Sequence, residues 1–133
     1  MRTNKKSHSA VPYAAKVDSI VNWLEDKKAK DIIALDISKE NNLSDAVVIA
    51  TATSVRHGQG LAEHVLKSAR EQNYEYLRME GNTVGQWILL DLNDVIVHIF
   101  QPDARSLFRL DDLWPSAPVL ADTRKEERPC PVL

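Results

Sequence analysis

Residues 84–100, VGQWILLDLNDVIVHIF, constrain the fold more than any other stretch of the chain. Two runs of β-branched and aliphatic residues flank Asn93, which reads as a hairpin with a short connection. Side chains alternate across a strand, so each run divides into two faces. Val84, Gln86, Ile88 and Leu90 share one side of the first strand, and Gly85, Trp87, Leu89 and Asp91 the other. In the second strand Val95, Val97 and Ile99 oppose Ile96, His98 and Phe100. Pairing the aliphatic sets buries them together and leaves Trp87, Leu89, Asp91, His98 and Phe100 on the opposite face. Trp, Phe and His beside an acid resemble an interface hot spot more than a catalytic pocket. The competing reading is that a helix of the same chain covers this face, since tryptophan is mostly buried.

The remaining elements follow from periodicity. Pro12 is placed to open a helix, and Val17, Ile20, Val21 and Leu24 form its apolar stripe. Strands are expected at 31–37 (DIIALDI) and 45–52 (DAVVIATA), both too continuously apolar for a strand with a wet face. SKENNLS between them is turn chemistry. Ser54 caps a second helix over about 55–72, with Leu61, Ala62, Val65 and Ala69 on one face and Gly58 and Gly60 weakening its first turns. That helix is a candidate crossover to a strand at about 75–79, which would make the strands before and after it a parallel pair. Gly81 and Asn82 turn the chain into the hairpin. Pro102 then starts a helix carrying Leu107, Leu110 and Trp114, ended by Pro115. The fold class is α/β: a single domain with a mixed sheet of about five strands flanked by helices. The domain is expected over 12–115, between a flexible arm at 1–11 and a flexible, proline-rich and charged tail at 116–133.

Composition excludes several functions. One cysteine, Cys130, rules out an intrachain disulfide and a cysteine-based metal site, and suits a reducing compartment. No apolar run approaches the ~20 residues of a membrane span. The basic, acid-poor start leaves organelle targeting as a minor alternative to a cytoplasmic location. Net charge is −2, unlike a basic nucleic-acid binder, but residues 80–112 hold six acids against two arginines. That segment is either a solvated acidic surface or one suited to a basic partner.

Catalytic patterns are weak. His8, His57, His64 and His98 are scattered; His57 and His64 lie seven apart in one helix without a third ligand in view. No Asp-x-Asp pair occurs to hold two metals, and Asp91 and Asp94 straddle a turn. TATSVRHG is a strand-to-helix turn of the kind that meets phosphate, but it lacks the glycines and lysine of a phosphate loop. No cofactor or metal is expected.

DIIALDIS, LSDAVVIATATSVRH, EG followed by WILLDLNDVIVHIF, and RLDDLW occur in order over about residues 15–115. Together they resemble the ribosomal silencing factor family, also called the Iojap family. Arg56, Glu80, Gly81, Trp87, Asp91, Asp94, His98 and Trp114 stand where the family has them. The chain departs at Ala46 and Val47, where an aromatic is usual, at Ala52, where glycine is usual, and at Leu92 and Asn93, where Tyr-Gly is frequent. The resemblance implies a nucleotidyltransferase-like α/β sheet without enzymatic activity. It implies binding to the large ribosomal subunit through ribosomal large-subunit protein number fourteen, with little direct nucleic-acid contact. Occupying that protein blocks small-subunit joining and represses translation when nutrients are scarce. The partner-binding residues expected on this reading are Trp87, Leu89, Asp91, His98, Phe100, Glu80 and Arg56. Trp87 is the anchor, Asp91 and Glu80 pair with basic groups, and His98 and Phe100 widen the apolar patch. Arg56 either braces its turn or touches the partner. A homodimer of the free chain through the same face is a further expectation. The alternative is a degenerate nucleotidyltransferase-like domain that binds a nucleotide near Ser54 and Arg56.

Overall fold

The computed structural model describes residues 12–40 and 44–124, which hold three α-helices and six strands, one strand more than the patterns predict. The arm at 1–11 and the tail from 125 onward, with Cys130, lie outside the described residues. Helix α1 spans Tyr13–Asp26 behind Pro12 and buries Val17, Ile20, Val21 and Leu24. Strands β1 (Lys30–Asp36) and β2 (Ala46–Thr51) follow, and β2 is buried at every position. The Ser54 side chain accepts from the His57 N–H and starts α2 (Val55–Glu71). Next come β3 (Arg78–Glu80), β4 (Trp87–Asp91) and β5 (Val95–Phe100). Helix α3 covers only Pro102–Phe108, and β6 spans Val119–Asp122.

The sheet order is β3-β4-β5-β2-β1-β6. Only β2 and β5 pair in parallel; the other neighbours are antiparallel. The expected crossover therefore lands differently: after α2 the chain runs to the far edge of the sheet and returns through β4 before β5 joins β2. Helices α1 and α2 cover one face, over Ile32, Ala34, Val48, Ala50, Ile88, Leu90, Val97 and Ile99. On the other face α3 and the segment to Ala117 cover Ile33, Leu35, Val47, Ile49 and Phe100.

Two expectations are corrected here. The helix begun by Pro102 does not run to Trp114, because Arg109 adopts φ 51° and a short 3-10 turn at Leu110–Asp112 follows. The break lets Asp111 accept two bonds from the Arg105 guanidinium, at 3.1 and 2.6 Å. Residues 119–122, read as flexible tail, are instead the sixth strand. Antiparallel pairing with β1 supplies backbone partners that proline-rich composition does not reveal, and Thr123 extends it by bonding both Ile32 N–H and C=O.

Two turns depend on backbone conformations that side chains resist. Gly81 has φ 83°, and a Cβ there would lie 2.1 Å from the Trp87 carbonyl oxygen. Asn93 has φ 78° and takes the left-handed place in the β4–β5 turn, as asparagine tolerates better than most residues.

Candidate functional site

The β4–β5 register pairs Trp87 with Phe100, Leu89 with His98 and Asp91 with Ile96, so the alternation expected for the hairpin holds. Strand β3 extends the same face, with Glu80 opposite Leu89 and Arg78 opposite Asp91. Helix α3 packs against β5, with Ala104 and Phe100 in one apolar cluster, and its Arg105 reaches the Thr51 hydroxyl and the Asp31 carbonyl. Beyond the reach of α3, Trp87, Leu89 and Ile96 are half-buried and keep part of the face open. Phe108 at the end of α3 is 54% exposed, with its ring centroid 4.9 Å from that of Trp87. Part of the Trp face is thus covered by the chain itself, and part of it meets water.

Trp87 is held in place. Its indole Nε1 donates to His98 Nδ1 at 3.0 Å, and its ring packs on Phe100 at a centroid distance of 4.8 Å. Accepting at Nδ1 leaves the proton of the neutral imidazole on Nε2. Burial lowers the His98 pKa to about 4, so the ring is neutral at physiological pH.

The structure redistributes the roles expected for the site residues. Phe100 is fully buried and His98 is 8% exposed, so both support Trp87 from below and add nothing to the open surface. Asp91 is 2% exposed, because its Oδ1 accepts from the Asn93 N–H inside the turn and its Oδ2 lies 3.6 Å from Arg78. It is not a rim charge. Glu80 is exposed, and its carboxylate meets the Arg78 guanidinium at 2.7 Å. Arg56 is exposed in the first turn of α2. Sequence reasoning omitted Arg78, Ile96 and Phe108. Alternation already placed Ile96 beside His98, whereas Phe108 comes near Trp87 only through the packing of α3 on the sheet.

The crevice where open α/β sheets commonly take ligands is filled. Parallel neighbours β2 and β5 send their following helices to opposite faces, the topological switch point at which such folds bind nucleotides. Here the Gln101 amide occupies that point, donating to Ser54 O at 2.9 Å and Gly85 O at 3.3 Å. Gly58 packs against it, with Ala52 beside it. The Ser54 hydroxyl is engaged as a cap, and His57 bridges Thr53 and Lys27 through its two ring nitrogens. Among the described residues no group of three His, Cys, Asp or Glu side chains is arranged to hold a metal ion. No helix there is long and apolar enough to cross a membrane.

Fold and site together define a single α/β domain with a mixed six-stranded sheet and a half-open apolar face. The chain belongs to the family of ribosomal silencing factors: the family described as "Ribosomal silencing factor during starvation" matches residues 10–130. It is 39% identical to the ribosomal silencing factor of Bacillus subtilis over 98 residues, covering 74% of this chain and 82% of that protein. It is 37% identical to that of Halalkalibacterium halodurans, covering 75% and 86%. A crystal structure of a Chromobacterium violaceum protein superposes with a TM-score of 0.73 at 35% identity, covering 77% of this chain and 84% of the other.

Proposed function

We propose that this chain is a steric anti-association factor of the ribosome. Its open sheet face docks on the large subunit at ribosomal large-subunit protein number fourteen and keeps the small subunit from joining. Translation is thereby repressed when nutrients are scarce. No bond is made or broken; overlap with the small subunit in space is sufficient. The observation that carries this reading is the uncovered part of the face, where Trp87, Leu89, Ile96 and Phe108 form an apolar surface edged by Glu80 and Arg78. Family membership supports the ribosomal setting. So does a mouse relative named "Mitochondrial assembly of ribosomal large subunit protein 1", 26% identical, of which the chain covers 44%.

Trp87 is the anchor. A tryptophan held by a hydrogen bond and two ring contacts gives up little side-chain freedom on binding, which favours affinity. Glu80 and Arg78 at the edge orient the encounter and contribute mainly to the association rate. The cytoplasm is the site of action, and the free chain self-associates through the same face.

Co-sedimentation with isolated large ribosomal subunits tests the proposal. The wild-type chain is expected to pellet with the large subunit and to reduce joining of added small subunits. Trp87→Glu is expected to lose about 2–4 kcal/mol of binding, a hot-spot magnitude. A wild-type chain that stays in the supernatant, or a Trp87→Glu variant that pellets equally well, overturns it.

A further inference from the structure

The helix side of the molecule carries a second surface that the Trp87 reading does not use. Two adjoining concavities, of ≈ 500 and ≈ 440 Å³, meet at Lys27, which lines both. The first is built by Lys27, Lys28, Lys30, Thr53, His57 and Asp26, where α1 ends and α2 begins. Lys67, Arg70, His64, Glu63 and Gly60 of α2 line the second with Lys27. Five permanent cations thus face two carboxylates, on a chain whose net charge is −2. All five cations are exposed. Their backbone is fixed: the Lys27 carbonyl accepts from His57 Nε2 at 2.7 Å, and the Lys28 N–H closes on Glu25 O at 2.9 Å. Lys28 itself sits at φ 67°, a conformation that glycine or asparagine would take at lower cost. The His64 Nε2 beside this surface is buried without a hydrogen-bond partner.

We infer that this ridge, from the end of α1 along α2, binds the phosphate backbone of double-stranded RNA. Three features select that partner. Cations in two linked concavities can meet successive phosphates, whereas an isolated anion would need only one of them. The lining holds no Trp, Tyr or Phe, so it offers neither the aromatic anchor of a protein hot spot nor the stacking platforms of a single-strand binder. A membrane surface would need an apolar face to insert, and Leu66 is the only large aliphatic residue in either lining. What remains is sequence-independent contact with a duplex by point charges, and the choice of RNA rests on the ribosomal setting proposed above. This surface lies on the helix side of the sheet, away from Trp87, so the two contacts can coexist. Contact with RNA on this surface departs from the expectation of little direct nucleic-acid contact.

Fluorescence anisotropy of a short labelled RNA duplex with the full chain tests this without any ribosomal protein. Neutralising about three phosphates predicts affinity falling roughly 40-fold between about 50 and 200 mM salt. Lys27→Glu with Lys67→Glu is expected to abolish binding, Lys27→Arg with Lys67→Arg to retain it, and Trp87→Glu to leave it unchanged. Circular dichroism checks that each variant is folded. Salt-independent binding, or equal binding by the charge-reversed variant, overturns the inference. Equal affinity for polyglutamate of matched charge also overturns it, in favour of an acidic protein partner. Failure of Trp87→Glu to affect large-subunit pelleting would leave this result untouched, because the duplex assay contains no ribosome.

Discussion

The pose of Trp87 is set by His98. A buried neutral imidazole accepts the indole N–H, and the price of that arrangement appears in the pH dependence of stability. Folded His98 takes up a proton only near pH 4, against 6.5 for the free group, because burial disfavours the imidazolium. The unfolded chain binds more protons between those values, so this contribution is present above pH 6.5 and is lost as pH falls toward 4. We expect about 2 kcal/mol to be lost between about pH 7 and about pH 5. His98→Asn keeps an acceptor for Trp87 but does not titrate. Urea unfolding at the two pH values should show a shallower fall for this variant than for wild type. Trp87→Phe asks a different question. It keeps a ring on Phe100 but strands the imidazole Nδ1, so it should weaken subunit binding less than Trp87→Glu. Alternation made Trp87, Leu89 and His98 legible as neighbours. It did not distinguish the exposed partner from the buried one, because both lie on one face and depth depends on what covers them.

At the level of elements, α1 is locked to the β4–β5 turn by a charge pair inside the protein. Lys16 Nζ lies 2.7 Å from Asp94 Oδ1, with both side chains almost wholly buried, and 5.4 Å from the centre of the Tyr74 ring. Removing one partner leaves a buried charge uncompensated. Lys16→Met is therefore expected to cost about 3–5 kcal/mol in denaturant unfolding, and Lys16→Met with Asp94→Leu considerably less. A different turn, between β3 and β4, determines β3. Gly81→Ala would drive a Cβ into the Trp87 carbonyl, so strand β3 should detach, visible as lost hydrogen-exchange protection of its amides. Gly81 and Asn93 were readable as turn residues. The Lys16–Asp94 pair was not, since the partners lie 78 residues apart and nothing local marks either as buried.

For the whole molecule, the sheet edges matter most. Strand β3 is three residues long and carries Arg78 and Glu80, features that discourage pairing with another chain. On the other side β6 covers β1, whose KDIIALD sequence would make an apolar edge. A chain ended at Pro118 should expose that edge, melt at lower temperature and self-associate in light-scattering measurements. In such an assay the Trp87→Glu substitution would not rescue it, because the new contact lies at the opposite edge.

The sequence alone determined the α/β class, the principal helices, the central strands and the two faces of the hairpin, because each follows from local periodicity of 3.6 or 2 residues. The ordered motifs determined the family. Tertiary structure decided the rest. Strand order, the parallel β2–β5 pair and the capture of residues 119–122 as β6 depend on hydrogen bonds between distant segments. So does the depth of each site residue: Trp87 and Leu89 stay partly open while Asp91, His98 and Phe100 are sealed. The packing of α3 against β5 brings Phe108 beside Trp87. Periodicity assigns a side chain to a face, whereas only packing determines whether that face meets water.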